Sequence, residues 1–428
     1  MVDFSQSEQL ENQHQPHVFL NASLWWPTSS RLAIAFLKAG CRVSAICPSG
    51  HPLRFVFGVH AIHPYRRLDS IGSLRTALQA ATPDIIVPCD DGSVRQLHAL
   101  HQAEPIFRPL IERSLGAPEG YPILESRSLT LQVASELGIR IPATRAIDSI
   151  EGLHAPDIEW PAMLKIDGTW GGEGVVAVAS RQQAAEVFPS LNGARRSAIA
   201  WKKFVANRHP LARWLLSRRH GTLVTLQKLV IGREATTMFA CRDGEVLASV
   251  TVEVLASQRP AGAATVLRLV RNDEIERASC LMARRLRLNG FHGLDFIIEE
   301  GTDAPYLIEM NPRATQLGHL NVNPEGNLAE VLVASFTDRP TTGLPVSSLI
   351  ENTVIALFPH AWKTDPGSQF LVTGYHDVPW DQPELVRELL RKPWPDRRLL
   401  HRVLSVLKIA APRDTKQLTR PANRTARR

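Results

Sequence analysis

The chain has 428 residues, 44% hydrophobic and 21% charged, with a formal net charge of +7. That length exceeds one small core and predicts roughly two to four domains, and the apolar content excludes global disorder. No apolar run approaches the ~18 residues needed to span a bilayer. The five scattered cysteines contain no CxxC pair, which argues against a disulfide framework or a structural zinc site. The polar, slightly acidic start, Met1 to Pro16, predicts neither a signal nor a transit peptide, and a cytoplasmic protein is expected. The positive balance leaves a nucleic acid, an anionic membrane surface or a small anion as partner classes.

Residues 1–15 read as a disordered lead. His17–Asn21 is a short apolar strand, followed by a helix over Arg31–Lys38 that Ser29 or Ser30 can cap and Gly40 closes. Arg42–Ile46 is a β-branched strand, Ser70 caps a helix over Ile71–Ala80, and Pro83–Pro88 is a buried-type strand. This alternation predicts a parallel, Rossmann-like sheet over 16–120. Among the residues after its first strand there is no GxGxxG, so a dinucleotide site is not expected there. Asp90 and Asp91 end a strand where open sheets bind ligands, although capping the next helix explains Asp91 equally well.

A helix over Ser126–Leu137 follows. From Trp160 onward the pattern changes to strands: Ala162–Ile166, Val175–Ala179, Leu223–Ile231, Ala235–Cys241, Glu245–Val252, Thr265–Val270, Leu294–Glu299 and Tyr306–Met310. Helices over Asp273–Leu286 and Leu328–Ser335 separate the later ones, so the fold class is α/β followed by α+β. A small extension over 341–409 carries a basic amphipathic helix at Asp396–Lys408, and 410–428 reads as a basic disordered tail.

Two segments carry chemistry. In Lys165-Ile-Asp-Gly-Thr-Trp-Gly-Gly-Glu-Gly-Val175 a strand delivers a lysine into a glycine-rich loop. Glycines at 168, 171, 172 and 174 let backbone N–H groups converge on an anion, and the lysine adds a point charge for phosphate. In Leu307-Ile-Glu-Met-Asn-Pro-Arg313, Glu309 and Asn311 alternate on a strand and leave the same face. A hairpin turning at Gly301–Asp303 brings Asp295 beside Glu309. Three oxygen ligands on adjacent strands suit Mg²⁺, and Arg313 is placed to meet a phosphoryl group or a developing oxyanion.

In this order and about 140 residues apart, the two segments resemble the ATP-grasp superfamily. LIEMNPR is close to the stretch in carbamoyl-phosphate synthase large-subunit domains and in many peptide-type ligases. The resemblance covers roughly 17–335. It implies an N-terminal Rossmann-like domain, then an ATP-grasp domain over 121–340 with subdomains at about 143–222 and 223–340. It also implies ATP with Mg²⁺ or Mn²⁺ as cofactors. Lys165 and Arg127 would contact phosphates, with Gly168, Gly171, Gly172 and Gly174 closing over them. Gln227, Lys228, Leu229 and Val230 would form the adenine hinge, with Glu234 on the ribose or metal side. Asp295, Glu309 and Asn311 would hold the metal. Arg313 would be catalytic together with Lys165. Arg259 and Arg268 would bind a substrate carboxylate, and Gln316 and His319 would line the acceptor pocket.

The implied activity is ATP-dependent joining of a carboxylate to an amine, of amino-acid or peptide type, through an acyl phosphate. The alternatives are carbamoyl-phosphate-synthase- or carboxylase-like use of bicarbonate, or a non-catalytic nucleotide-binding module. The expected partners are small-molecule acid and amine, with a homodimer as the assembly seen in similar proteins, and nucleic acid is not expected. The charge fits a small anion: residues 187–233 carry ten Lys or Arg and no Asp or Glu, beside the proposed cleft.

Overall fold

The computed structural model describes residues 15–154, 158–166, 174–191, 224–259, 262–321, 326–337 and 350–393. The first unit contains β1 (His17–Asn21), α1 (Thr28–Lys38), β2 (Arg42–Cys47), β3 (Ala61–Pro64), α2 (Ser70–Ala81), β4 (Ile85–Pro88), α3 (Asp91–Ala103) and α4 (Arg108–Leu115). Its four strands run parallel in the order β3-β2-β1-β4, as strand–helix alternation requires. Two caps differ from expectation. α1 already begins at Thr28, and the Ser29 and Ser30 hydroxyls donate to Trp26 O and Pro27 O inside its first turn. α2 begins at Ser70, with Asp69 as the capping acceptor.

The chain then runs through α5 (Arg127–Glu136) into a four-stranded antiparallel sheet. Its strands are β5 (Thr144–Ile147), β6 (Ala162–Ile166), β7 (Val175–Val178) and β8 (Val224–Lys228), in the order β5-β8-β6-β7. α6 (Arg181–Leu191) covers it and contributes Ala184, Phe188 and Leu191 to its core. β8 therefore belongs to this sheet. The expected strand 223–231 ends at Lys228, and the two sheets divide there rather than at 222/223.

The large sheet has seven strands in the order β13-β12-β9-β10-β11-β14-β15. They are β9 (Gly232–Arg242), β10 (Glu245–Ser257), β11 (Ala264–Leu269), β12 (Gly290–Glu299), β13 (Pro305–Asn311), β14 (Val354–Ala356) and β15 (Tyr375–His376). Within it, α7 (Asp273–Leu286) shows local and global signals agreeing. Asn272 caps the backbone of Glu274 and Ile275, three acids fill the first turn, and two arginines fill the last. Ile275, Ala278, Met282 and Leu286 form one buried stripe against the sheet. α8 (Leu328–Ala334), α9 (His360–Thr364) and α10 (Pro383–Leu390) follow in chain order. The expected helix at Asp396–Lys408, the tail, the lead and most of the basic 187–233 segment lie outside the described residues.

The first unit and the large sheet share one core. Leu32 and Phe36 of α1 pack in the same cluster as Met238, Val252, Leu267 and Phe291. Gly116 fixes the seam behind it. Its φ is +99°, and a Cβ there would lie 2.2 Å from Arg287 O, so only glycine permits the backbone bridge to Leu288.

The turn after β1 is held by Asp90, which is buried at the start of α3. Its carboxylate accepts from Ser23 N (2.7 Å), Ser23 Oγ (2.5 Å), Leu24 N (3.1 Å) and Ser93 N (2.8 Å). Asp90→Ala removes a helix cap and strands several buried donors. The expected cost is about 3 kcal/mol or more, measurable as a lower urea midpoint. An unchanged midpoint would contradict this role.

Candidate active site

The β12–β13 hairpin places Asp295 directly opposite Glu309, and Gly293 opposite Asn311. The turn between them carries Gly301 and Asp303 at positive φ, as the sequence spacing requires. Asp295 is fixed from two sides. Thr236 Oγ1 of β9 donates to its Oδ1 at 2.7 Å, and Asn311 Nδ2 donates to its Oδ2 at 2.9 Å. Burial, and then the facing Glu309 carboxylate, push the Asp295 carboxyl up to about 6.

Cations from three directions answer these acids. Arg127, at the start of α5, donates from Nη2 to Glu309 Oε1 (2.5 Å) and from Nη1 to Ile166 O (3.3 Å). Arg313 donates from Nη2 to Asn311 Oδ1 and from Nε to Asp91 Oδ1, both at 2.9 Å. Burial opposes the charge on Arg313, but Asp91 and further carboxylates hold its pKa above the ordinary value. Lys165 of β6 is 7% exposed and donates to Gln227 Oε1 at 2.5 Å. Gln227 in turn donates to Thr144 Oγ1. Burial and the neighbouring Arg127 guanidinium bring Lys165 down to about 8, with Glu309 and Asp295 pulling the other way. A cavity of about 60 Å³ lies here, lined among others by Asp91, Arg95, Arg127, Glu309, Asn311 and Pro312.

Most of the expected residues thus fall in one place: Lys165, Arg127, Asp295, Glu309, Asn311 and Arg313. Gly174 has φ +74°, and its carbonyl accepts from Ile166 N at 3.0 Å, closing the β6–β7 hairpin. Gly168, Gly171 and Gly172 lie outside the described residues. Gln227 enters the site by its side chain. Lys228 N and Leu229 N donate to Ala143 O and Pro161 O, while the Lys228 ammonium pairs with Glu159 at the surface. Val230 is half-buried on the run into β9. Glu234 stands two residues before Thr236 and therefore on the same face as the Asp295 contact.

Arg268 does not join them. Thr236 lies opposite both Asp295 and Val252, and Val252 lies opposite Leu269. Arg268, one residue earlier, leaves the other face, where it pairs with Glu253. Arg259 sits at the β10–β11 turn, where its carbonyl accepts from Ser257 Oγ and Gly262 N. His319 is bound to Asp377 rather than open to the cleft. Asp91 was read as either a strand-end ligand position or a helix cap; Asp90 does the capping, and Asp91 holds Arg313. Thr236 carried no sequence signal beyond its strand.

The donor set fits a hard divalent cation. Two carboxylate residues face each other on adjacent strands, and the Asn311 amide beside them, whose nitrogen donates to Asp295 and whose oxygen accepts from Arg313, would offer its oxygen to an ion once turned over. Among the described residues no group of three or more His, Cys, Asp or Glu is placed to hold a metal. The remaining ligands of such an ion would therefore be water or substrate oxygens.

Residues 129–316 match the family of ATP-grasp domains. No curated protein matches the chain significantly. The fold is similar to that of N5-carboxyaminoimidazole synthetase from Staphylococcus aureus, solved with ADP, at a TM-score of 0.56 and 15% identity, covering 80% of this chain and 81% of that one. It is similar to Rhizobium etli pyruvate carboxylase at a TM-score of 0.54 and 15% identity, covering 78% of this chain and 30% of that one. It also resembles the L-amino acid ligase from Bacillus licheniformis at a TM-score of 0.50 and 12% identity, covering 78% and 75%.

Lys165 gives a test of the electrostatics. In the unfolded chain a lysine keeps its proton up to about pH 10.4, whereas folded Lys165 releases it near 8. Between those values the unfolded state binds more protons, so the Lys165 contribution to stability rises with pH, and its penalty is fully present below about 8. Lys165→Met should remove that slope, read by urea denaturation from pH 7 to 10.5. An identical slope in the variant would contradict the burial argument.

Proposed function

We propose that this chain, a member of the ATP-grasp superfamily, is an ATP-dependent ligase that activates a carboxylate as an acyl phosphate and joins it to an amine, releasing ADP and phosphate. The observation that carries the proposal is the Asp295–Glu309–Asn311 set facing Arg127, Lys165 and Arg313.

A carboxylate is a poor electrophile, and moving the γ-phosphoryl group onto it requires positioning and charge neutralisation. Lys165 and Arg127 would bind the nucleotide phosphates. Mg²⁺ held by Asp295, Glu309 and Asn311 would neutralise charge on the phosphate oxygens. Arg313, anchored by Asp91, would hold the acid's carboxylate in line and then stabilise the oxyanion formed when the amine attacks. Glu234, on the same face of β9 as Thr236, is the proposed ribose contact, and Lys228 to Val230 form the proposed adenine edge by their backbone. Arg259, at the β10–β11 turn, remains a proposed carboxylate contact.

Incubation with ATP, Mg²⁺ and a panel of acids and amines should release ADP and phosphate with one acid–amine pair. Release of AMP and pyrophosphate would contradict the mechanism. Glu309→Ala and Lys165→Ala should each lower turnover at least about a hundredfold, and a fully active Glu309→Ala would remove the metal assignment. Bicarbonate belongs in the same panel, because its use as the acid would make the enzyme a carboxylase of the same chemistry.

A further inference from the structure

We propose that the nucleotide-free protein keeps its own metal site closed, with the Arg127 guanidinium seated on Glu309 in place of a divalent cation until nucleotide phosphates draw it away. The inference rests on the ligase reading and adds to it the order in which phosphate and metal reach the site.

The oxygens offered to an ion are already engaged. Glu309 Oε1 accepts from Arg127 Nη2 at 2.5 Å. Asn311 Oδ1 accepts from Arg313 Nη2 at 2.9 Å, and the Asn311 amide nitrogen faces Asp295 Oδ2 at 2.9 Å. Asp295 Oδ1 accepts from Thr236 Oγ1 at 2.7 Å. Among the described residues, Glu309 Oε2 is the one oxygen of this set that accepts no hydrogen bond.

These contacts differ in what they permit. A carboxylate oxygen has more than one lone pair, so the neutral Thr236 hydroxyl can stay when an ion arrives. A guanidinium cannot. It brings a full positive charge to the same oxygen, and it does not lose its proton to make room. Mg²⁺ gives up its water shell reluctantly, so a free ion gains little from a carboxylate whose charge is already met. The Asn311 amide must also turn over before its oxygen can face the ion, and Arg313 holds it as it is.

The position of Arg127 indicates what would move it. Its side chain is 7% exposed and reaches between two elements. Nη2 meets Glu309 on β13, and Nη1 donates to Ile166 O at 3.3 Å, at the end of β6 next to Lys165. The guanidinium therefore touches both the strand end that carries a proposed phosphate contact and the strand that carries the proposed metal ligands. Phosphate oxygens offer a guanidinium bidentate, charge-assisted hydrogen bonds, and a polyphosphate would meet Arg127 and Lys165 together. The half-buried Glu309 would then be released to the ion. The same arrangement keeps an ion from lodging in the site without nucleotide.

The test uses the full chain and Mn²⁺ alone, with the free ion read by electron paramagnetic resonance. Arg127→Met and Arg127→Gln should each bind Mn²⁺ at least about tenfold more tightly than the wild type. Adding Glu309→Gln to Arg127→Met should abolish the gain. No gain in the neutral variants, or a gain that survives Glu309→Gln, would overturn the proposal. The wild type supplies an arm that needs no variant. Mn²⁺ alone should leave its Tm unchanged, and a rise would also contradict the closed site. ADP with Mn²⁺ should raise that Tm. Its failure to do so would remove the nucleotide reading on which the proposal rests, whatever the Arg127 variants do.

Discussion

Two carboxylates set face to face, Asp295 and the half-buried Glu309, are the constraint on which the rest depends. Asp295 and Glu309 sit opposite each other in a two-strand register. Like charges at such spacing repel, and burial together with the facing Glu309 raises the cost of ionising Asp295. The fold offsets this with cations drawn from separate elements. Arg127 comes from the helix between two sheets, Lys165 from the small sheet, and Arg313 from the turn after β13. Each of these is itself buried and held by a neutral or acidic partner: Ile166 O, Gln227 and Asp91. The balance is between charges rather than between apolar surfaces, and it leaves Asp295 with an elevated pKa and Lys165 with a depressed one. A polyanion with a divalent cation would meet both deviations at once.

The same contacts explain why three sheets act together. Arg313 ties β13 to the parallel sheet through Asp91, 222 positions away. Arg127 ties β13 to the end of β6. The shared core behind α1 and the glycine seam at 116 hold the first unit against the large sheet. The switch point of the parallel sheet, where open sheets bind ligands, is thereby directed at Arg313. An active centre assembled this way requires each unit to be docked before its charges are satisfied.

Much of this was legible in the sequence, for reasons particular residues make plain. Asp295, Glu309 and Asn311 follow from strand alternation and a short hairpin, which fix register within a few residues. Lys165 stands on a strand before a glycine-rich loop, a local signal. Arg268 misled because strand spacing does not say which face of a seven-stranded sheet meets the cleft. That is set by the register of β10 and β11 across the whole sheet. Asp91, Thr236 and Asp377 were not legible as partners, because each acts through a contact distant in sequence. The C-terminal stretch illustrates this most clearly. It has no motif, yet besides core residues and two edge strands it supplies the buried Asp377, which joins Arg31, His319 and Phe358.

The central claim is that a carboxylate oxygen of the acid attacks the γ-phosphorus of ATP. It is tested most directly by supplying the acid substrate labelled with ¹⁸O in its carboxylate and analysing the released phosphate by mass spectrometry. The account predicts one ¹⁸O atom transferred to inorganic phosphate for each amide formed. Label found in AMP, or phosphate free of label while amide accumulates, would contradict it.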